Sequence, residues 1–533
     1  MSPTRKTRPT SRTNKSKPPR AKGRTVPFEV MDTTLRDGEQ TEGVAILGEE
    51  KMAIARALLE GVKVDRIEIA SARVSEGEHD TVKLICNWAR RSKLIDRVEV
   101  LGFVDHKVSV DWARSAGCRV INLLTKGSLK HCETQLRKSP DQHLADIEQT
   151  VRYGLARKMR FNIYLEDWSG GMLDSRDYVY KMVDACARMG FDRIMLPDTL
   201  GLLEPAQVFE CVGDLVARHP EIHFDFHAHN DYGLATANSL EGLRAGARGL
   251  HSTINGLGER TGNAPLDEMV VAARDFTQFR CRVDEKKLAE ISHLTQVFTG
   301  KRIAWNKPIS GENVFTQTAG IHADGDSKGR LYYSRLTPER FNRHRTYAMG
   351  KLMGKASLNY NLGKLNLELT PEQKKMVGDR VIELADAKKV VTAEDLPYII
   401  ADVLQTPEAR VFEVVDFMIS TNKGLRPVAS VLVNYRGQPH QAAAHGDGGY
   451  DAFVKALRSL EKELGFKIPR LVDYSVHIPP GGKTDALVET TIVWEGGMKT
   501  RGVNPDQLVA AIEATSNLVN MLAVNKGVPR SKH

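Results

Sequence analysis

Short apolar runs of strand length alternate with amphipathic stretches of helix length from residue 27 to about residue 256. Eight such units in roughly 230 residues match the count and size of a TIM barrel, so we predict an α/β fold of the (β/α)8 type. An open doubly wound sheet is the alternative. The strict alternation of strand and helix patterns, without a break in composition, favours a closed barrel. The predicted strands are 27–34, 65–71, 98–104, 118–125, 160–167, 192–199, 222–230 and 249–256.

Polar side chains cluster where these predicted strands end. Arg36 and Asp37 follow the first strand, and Glu166 lies near the end of the fifth. His227 and His229 fall in the seventh. The loops of barrel enzymes converge at the carboxyl ends of the strands, over a packed interior. We therefore expect the chemistry of this protein at that face.

The chain changes character near residues 285 and 405. Residues 285–404 show mostly helical patterns, with a loop-rich insert at 306–346. Residues 405–533 contain a weak repeat of three short strands and one helix, and two βββα units predict a small α+β domain that senses a ligand or forms a dimer. The predicted domains are a disordered basic tail at 1–26, a catalytic barrel at 27–284, helical linker subdomains at 285–404 and a regulatory domain at 405–533.

Composition excludes several classes of protein. The 533 residues are 41% hydrophobic and 27% charged, a balance typical of globular enzymes. No apolar run is long enough to span a bilayer, and the first residues lack the apolar segment of a secretory signal. Six cysteines without a C-x-x-C pair are typical of reduced thiols, so we expect a cytoplasmic protein.

The net charge of +9 lies entirely in the tail. Nine of the 76 basic residues lie in residues 1–26, which hold no acid, and the rest of the chain is formally neutral. The tail could tether nucleic acid or a membrane, but a solvated extension is the favoured interpretation. A transit peptide is a third possibility, and the missing apolar face argues against it.

His227-Ala228-His229 is the strongest single indication of chemistry. Side chains alternate along a strand, so both imidazoles point to the same side. Two histidines and a carboxylate, for which Asp37 is the obvious candidate, make a divalent metal site of mixed nitrogen and oxygen ligands. A pair of surface histidines is the alternative, and the position at the end of the seventh strand favours the metal.

The glycine-rich loop at 256–263 follows the eighth strand. It lacks the lysine of a P-loop and the G-x-G-x-x-G spacing, which argues against a nucleotide site. The loop borders the first and seventh strands, so Asn263 can reach the same metal. Arg36 beside Asp37 would polarise a carbonyl and stabilise an enolate or alkoxide, with a structural salt bridge as the alternative.

Four segments resemble the signature blocks of the metal-dependent, acyl-CoA-condensing TIM-barrel family, which includes 2-isopropylmalate, homocitrate and citramalate synthases and has lyase relatives. They are 32–40 (DTTLRDGEQ), 196–201 (LPDTLG), 227–231 (HAHND) and 255–263 (NGLGERTGN). The likeness covers nearly the whole chain from residue 27 onward, and four blocks in the same order are highly specific. It implies acetyl-CoA and a 2-oxo acid as substrates. It also implies a divalent metal (Mn²⁺, Mg²⁺ or Zn²⁺) held by Asp37, His227, His229 and Asn263.

The resemblance also implies roles for other residues. Arg36 would polarise the 2-oxo group, Thr199 would hold the substrate carboxylate, and Glu166 would line the catalytic centre. His322 and Tyr332 would be delivered from the partner subunit, with His322 helping to deprotonate the acetyl methyl group. A site assembled in this way requires a homodimer.

Substrate choice is expected where the side chain of the 2-oxo acid points. Leu101, Leu124 and Tyr164 lie at the inner ends of the third, fourth and fifth strands, and they resemble the pyruvate pocket of the citramalate synthases. Such a crowded pocket leaves room for little more than a methyl group. We therefore expect pyruvate as substrate and (R)-citramalate, an intermediate of isoleucine biosynthesis, as product. The alternative is 2-oxoisovalerate, the substrate of leucine biosynthesis, and these three side chains could also be simple barrel core.

The terminal domain resembles the regulatory domain of the same synthases, which binds an end-product amino acid. Isoleucine is the expected inhibitor and leucine the alternative. The side chains expected to form an apolar pocket for it are Tyr450, Leu471, Tyr474, Ile478 and Val488, although they could equally be the core of the small domain.

Two functions of other classes remain open at this point. A lyase or aldolase could use the same barrel for carbon–carbon cleavage, but it would not need an amino-acid-sensing domain. A catalytically silent amino-acid sensor, or a nucleic-acid-binding protein with a basic tail, is the other. The complete set of expected metal ligands argues against a silent protein, and the neutral body argues against nucleic acid as a partner. We expect no membrane partner.

Overall fold

A computed structural model describes residues 25–329, 331–364, 368–386, 391, 396–404, 411–478 and 488–525. Residues 1–24 of the expected basic tail lie outside the described residues. The chain forms two compact units. The first unit comprises residues up to Phe315 together with Ser334–His344, and the second comprises Thr316–Tyr333 and the chain from Arg345 onward.

Eight parallel strands close into a barrel in the first unit, which confirms the predicted fold class. All eight predicted strands are present, in sequential order around the barrel. They are β1 (Glu29–Asp32), β2 (Arg66–Ser71), β3 (Val98–Phe103), β4 (Val120–Lys126), β5 (Arg160–Glu166), β6 (Arg193–Asp198), β7 (Phe224–Ala228) and β8 (Gly249–Ser252).

Helices follow each strand and cover the barrel. They are α1 (Gly48–Arg56), α2 (Glu76–Arg91), α3 (Val108–Ser115), α4 (Pro140–Leu155), α5 (Trp168–Asp174), α6 (Arg176–Cys186), α7 (Pro205–Arg218), α8 (Ala235–Ala245) and α9 (Leu266–Phe276), with α10 (Leu288–Thr299) after the last unit. Local sequence sets their starts: Ser139 caps α4 by accepting a hydrogen bond from the Gln142 amide at 3.3 Å, and Pro140 occupies the first turn.

The interior of the barrel holds a layer of charged side chains. Arg66 lies 3.1 Å from Glu99 and also contacts Asp225, and all three are buried. Two residues beyond Glu99 on the same strand, Leu101 belongs to an apolar cluster that also contains Tyr164. This apolar cluster adjoins the charged layer, because Arg66 Nη1 lies 3.3 Å from Sδ of Met31, which belongs to the same cluster.

The second unit begins with a short strand at Thr316–Gln317, which pairs with Thr346–Tyr347. Its first helices are α11 (Gly320–Gly329), α12 (Lys355–Lys364), α13 (Pro371–Asp386) and α14 (Leu396–Leu404). Two antiparallel three-stranded sheets follow. The first contains β9 (Phe412–Ser420), β10 (Val428–Tyr435) and β11 (Gln438–His445), followed by α15 (Gly449–Ser459) and α16 (Glu461–Leu464). The second contains β12 (Leu471–His477), β13 (Val488–Trp494) and β14 (Lys499–Asn504), followed by α17 (Gln507–Asn525). The two predicted βββα units are thus confirmed, and their shared core includes Phe453 and Trp494.

Among the described helices, none combines the length and the apolar character that crossing a membrane requires.

Candidate active site

Three potential metal ligands converge at the carboxyl ends of β1 and β7. His227 Nε2 lies 3.2 Å from Asp37 Oδ2 and 3.2 Å from His229 Nε2, and His229 Nε2 lies 3.9 Å from the same carboxylate oxygen. All three side chains are buried. The period of two along β7 turns both imidazoles inward, and Asp37 is held by the turn after β1, where its amide donates to Thr33 O at 2.8 Å.

The spacing of these atoms fits one divalent ion. Two ligand atoms at about 2.1 Å from an ion and at right angles to each other are about 3 Å apart, close to both short distances in the cluster. No other group of three or more His, Cys, Asp or Glu side chains with this convergence occurs among the described residues.

Asn263 supplies a fourth candidate ligand beside the histidines. Its backbone pairs with that of His229, and its Nδ2 donates to Leu257 O at 3.0 Å. Its Oδ1 is buried and has no hydrogen-bond partner among the described residues. A buried amide oxygen without a partner is costly, and binding an ion would satisfy it. The residues present therefore fit a divalent metal.

Electrostatics prepare these groups for a cation. Burial raises the pKa of Asp37, but Arg36, His227 and His229 outweigh it and hold the pKa well below its usual range. Burial and the neighbouring His227 lower the pKa of His229 to about 4. At neutral pH the carboxyl group is therefore ionised and the His229 imidazole is neutral, which are the forms that bind metals.

Arg36 lies beside the candidate metal ligands, where its guanidinium group contacts three acceptors. Its Nε donates to Glu68, its Nη1 lies 3.4 Å from Asp37 Oδ1, and its Nη2 lies 3.5 Å from the hydroxyl of Tyr164. Burial lowers the pKa of Arg36, but Glu68 and Asp37 more than compensate and raise it. Glu68 was missed by sequence reasoning, although an acid at an inward position of a predicted strand could have indicated it.

A second ion pair lies at the opposite side of the barrel mouth. Lys126 Nζ at the end of β4 contacts the carboxylate of Glu166 at the end of β5. Thr199 Oγ1 accepts a hydrogen bond from the amide of Asp167 at 2.9 Å, so the Thr199 hydroxyl can still donate its own hydrogen. Sequence reasoning missed Lys126, since no local pattern shows that its side chain meets Glu166.

Three family models match consecutive parts of the chain. An HMGL-like model matches residues 27–295, a homocitrate synthase post-HMGL domain-like model matches 309–389, and a LeuA allosteric (dimerisation) domain matches 390–523.

Relatives of two activities match over most of their length. A protein of Methanopyrus kandleri that is provisionally named (R)-citramalate synthase is 35% identical, over 93% of this chain and 97% of that one. The (R)-citramalate synthase of Methanocaldococcus jannaschii is 30% identical, over 92% and 99%. The 2-isopropylmalate synthase of the same organism is 32% identical, over 93% and 95%.

This chain belongs to the citramalate and 2-isopropylmalate synthase family. The resemblance drawn from the four sequence blocks is thereby confirmed, as is the expectation of an enzyme, because the family consists of acyl-CoA-condensing transferases. The HMGL-like match and the cluster at Asp37 together indicate a divalent-metal enzyme. The LeuA match indicates an oligomer that binds a small molecule. Sequence identity does not distinguish the two activities within the family, since relatives with either activity match this chain almost equally.

The side chains expected to select among the family's 2-oxo acids form one cluster. Leu101 and Tyr164 are buried, and Leu124 packs against them. Met31 and Met195 complete this group, which we call the pocket floor. Sequence reasoning missed the two methionines because an apolar residue in a strand gives no sign of which neighbours it will meet.

The two residues that the family resemblance assigned to a partner's site lie in the second unit. The rings of His322, on α11, and Tyr332 are in contact, with centroids 4.0 Å apart and planes tilted by 35°. The amide of Tyr332 donates to Asp326 Oδ1 at 3.0 Å. A Cβ on Gly325 would lie 2.7 Å from the Tyr332 ring, so the glycine makes room for this pairing.

The expected effector residues of the regulatory domain are only partly brought together. The rings of Tyr450 and Tyr474 lie 5.4 Å apart, and the Tyr450 hydroxyl is 2.6 Å from Thr515 Oγ1. Val488 is buried, whereas Leu471 and Ile478 are exposed. Leu471 begins β12 and Ile478 directly follows its last residue, so one small ligand could not contact both through that strand.

Proposed function

We propose that this enzyme condenses acetyl-CoA with pyruvate to give (R)-citramalate and CoA. The pocket floor carries this proposal. Its five bulky side chains are Met31, Leu101, Leu124, Tyr164 and Met195, and the Tyr164 hydroxyl lies within 3.5 Å of Arg36. A 2-oxo acid whose carbonyl reaches Arg36 would direct its own side chain at this floor.

The size of the floor favours pyruvate over 2-oxoisovalerate. Pyruvate carries a methyl group, whereas 2-oxoisovalerate carries an isopropyl group that would have to displace buried side chains such as Leu101 and Tyr164. Each added methylene in a tight pocket costs about 1–3 kcal/mol. 2-Isopropylmalate synthase is the second candidate function, because relatives with that activity match the chain as well as citramalate synthases do.

The residues at the barrel mouth have separate parts in this reaction. A divalent ion, when held by Asp37, His227, His229 and Asn263, would act as a Lewis acid on the oxygens of the 2-oxo acid. Arg36 donates to the keto oxygen as negative charge develops there. Thr199 donates its hydroxyl hydrogen to the substrate carboxylate.

The chemical balance is that of an acyl-CoA condensation. A base removes a proton from the acetyl methyl group, and the resulting carbanion carbon forms a bond to the keto carbon of pyruvate. The keto oxygen then takes up a proton. Water cleaves the thioester, which releases CoA as its thiol and leaves a carboxylate. Glu166, held by Lys126, lines the catalytic centre where these steps occur.

His322 and Tyr332 are proposed to act across a homodimer. The family match to a dimerisation domain supports an oligomer, and the contact between the Tyr332 and His322 rings at 4.0 Å supports a joint role for the two residues. In this proposal His322 of one subunit assists deprotonation of the acetyl methyl group in the site of the other.

Feedback inhibition by an amino acid is proposed for the regulatory domain, with isoleucine as the effector and leucine as the alternative. The LeuA allosteric domain match supports an effector of this class, and the Tyr450–Tyr474 pair offers it an aromatic wall. We also propose that the enzyme acts in the cytoplasm, which its six free cysteines support.

One assay tests the catalytic proposal. CoA-thiol release from acetyl-CoA is measured with Mn²⁺, Mg²⁺ or Zn²⁺ against pyruvate, 2-oxobutyrate, 2-oxoisovalerate and 2-oxoglutarate. We expect pyruvate to give the highest kcat/KM and 2-oxobutyrate modest activity. A higher kcat/KM with 2-oxoisovalerate would show a 2-isopropylmalate synthase. Absence of thiol release with every acid would exclude the synthase function. Isoleucine and leucine are then added separately to identify the inhibitor.

A further inference from the structure

Tyr164 is the one residue of the pocket floor with a polar end, and that end is bonded inside the barrel. Its hydroxyl lies 3.2 Å from His251 Nδ1. The other ring nitrogen, His251 Nε2, lies 3.1 Å from Asp225 Oδ2. The side chains of His251 and Asp225 are both fully buried. The three residues come from β5, β8 and β7, so only the closed barrel brings them together.

The hydrogen atoms in this chain of contacts can point in only one direction. Asp225 also binds Arg66, which is always charged, so its carboxylate acts as an acceptor. His251 Nε2 must therefore carry the hydrogen that lies between it and Asp225. In a neutral imidazole the other nitrogen, Nδ1, is then an acceptor, and the hydroxyl of Tyr164 donates to it.

This direction determines what Tyr164 presents to the active site. Its single hydroxyl hydrogen is used by His251, so only the lone pairs of its oxygen remain. One of them faces Arg36, whose Nη2 lies 3.5 Å away and can only donate. The Tyr164 hydroxyl thus contacts His251 on one side and Arg36 on the other, and it has no hydrogen left to donate to the 2-oxo acid.

We propose that His251 is a specificity-determining positioning residue, which fixes the Tyr164 ring as the wall that excludes larger 2-oxo acids. This inference rests on the proposed function, since it concerns how that site chooses its 2-oxo acid. His251 itself does not touch the substrate. It acts by preventing the Tyr164 side chain from turning out of the pocket floor when a larger group presses on it.

Two substitutions separate the two contacts of the imidazole. The amide of His251→Asn reaches the position of Nδ1 and can keep the bond to Tyr164, whereas the amide of His251→Gln reaches that of Nε2 and can keep the bond to Asp225. We expect His251→Gln to raise the ratio of kcat/KM for 2-oxobutyrate to that for pyruvate by about 3- to 10-fold, the value of one neutral hydrogen bond. His251→Asn should leave this ratio within about twofold of wild type.

A double-mutant cycle tests whether His251 acts through the hydroxyl. In a Tyr164→Phe background the ring remains but the hydrogen bond is absent, so His251→Gln should no longer change the ratio. If His251→Gln changes the ratio equally in both backgrounds, the proposal is wrong. The proposal is also wrong if Asn and Gln change the ratio to the same extent in the Tyr164 background.

A spectroscopic measurement of the His251 tautomer in the wild-type protein makes the test independent of activity. In protein labelled with ¹⁵N-histidine, the His251 signals are identified by their loss in His251→Asn. We expect a neutral ring protonated at Nε2, with an Nδ1 shift that moves in Tyr164→Phe. A ring protonated at Nδ1 would overturn the proposal.

Failure of the proposed function gives a different result. If the wild-type enzyme prefers 2-oxoisovalerate, the pyruvate assignment is wrong. The same cycle is then measured as the ratio between the preferred acid and its next larger homologue, and the tautomer of His251 is unaffected by that outcome. Loss of the cycle's coupling while pyruvate remains the preferred substrate would overturn only the role of His251.

Discussion

Single residues at the barrel mouth show how burial and pairing set chemical character. Asp37 is buried, yet Arg36 and two histidines keep it ionised. Asp32, five positions earlier, is equally buried but has no such neighbour. Its Oδ1 accepts from the Thr34 amide at 3.0 Å, and its Oδ2 has no hydrogen-bond partner among the described residues. Burial is the larger effect and raises the pKa of Asp32 to about 7, while the bonds from Thr34 oppose it.

Asp32 should make the stability of the protein depend on pH. Its pKa is higher in the folded than in the unfolded state, so folding takes up a proton. The resulting stability is complete below the unfolded pKa of about 4 and is lost as the pH rises towards 7. Asp32→Asn should remove this loss and raise the free energy of unfolding at pH 8, relative to wild type, by about 2 kcal/mol more than at pH 5.5.

Thermal unfolding of both proteins at pH 5.5 and pH 8 checks this expectation. Asp80→Asn is the matched control, because the Asp80 carboxylate is exposed and its substitution should change both temperatures equally. A difference between wild type and Asp32→Asn that does not vary with pH would contradict the assignment.

Lys126 should matter through Glu166. Lys126→Met keeps most of the side-chain length but removes the charge from a pair that is largely buried. Breaking such a pair leaves an uncompensated carboxylate. We expect kcat to fall by 10-fold or more, with a smaller change in the KM for the 2-oxo acid.

Two variants serve as controls for Lys126→Met. Lys126→Arg keeps the charge and should retain more activity. Lys138→Met breaks a similar pair with Asp146 at the surface and should have little effect. Wild-type kcat in Lys126→Met would show that Glu166 does not depend on this partner.

At the scale of elements, the loop after β8 positions Asn263 through its glycines. Gly258 has φ +148°, and a Cβ there would lie 2.3 Å from Asn263 Nδ2. The loop can therefore approach the Asn263 amide only without a side chain at this position. This explains in physical terms why the block 255–263 needs glycine where it does.

Gly258→Ala should consequently weaken metal binding. The added methyl group must push the Asn263 amide away from its bond to Leu257 O, which would misplace Oδ1. We expect the Kd for Mn²⁺, measured by calorimetry, to rise about 10-fold or more. Gly300→Ala is the control, since Gly300 also has a positive φ, +67°, but no atom lies within 4 Å of its Cβ position. Equal Mn²⁺ affinity in Gly258→Ala and Gly300→Ala would contradict this role.

At the scale of the whole molecule, the candidate metal site joins strands from the start and the end of the barrel. Asp37 follows β1, whereas His227, His229 and Asn263 lie about 190 residues or more further along the chain. An ion bound there would cross-link the two ends of the barrel only in the folded state. Binding should therefore stabilise the barrel by mass action.

Metal removal should lower the unfolding temperature of the barrel. At an ion concentration 100 times Kd the stabilisation is about 2.7 kcal/mol, which corresponds to about 5 °C for a barrel of roughly 260 residues. Differential scanning calorimetry of the full chain with Mn²⁺ and with EDTA measures the shift. Asp37→Asn should abolish most of it, and an undiminished shift in that variant would place the bound ion elsewhere.

Sequence alone determined the order and type of the elements. Alternating short apolar runs and helical periods identified all eight barrel strands, and the repeat at 405–533 identified the two βββα units. The spacing of His227 and His229 was also sufficient to predict that their imidazoles point to the same side, because side chains alternate along a strand with a period of two. These features are local, since each depends on residues within one element or its immediate neighbours.

Only the tertiary structure decided which side chains meet inside the barrel. Glu68 accepts a hydrogen bond from Arg36, and Lys126 forms an ion pair with Glu166. His251 forms a hydrogen bond with the hydroxyl of Tyr164. Each pair joins different strands or the loop after one, so the contact depends on the register and tilt of the closed sheet. A residue's own sequence neighbours contain no information about a partner that is 32 to 87 positions away, because the barrel creates that proximity.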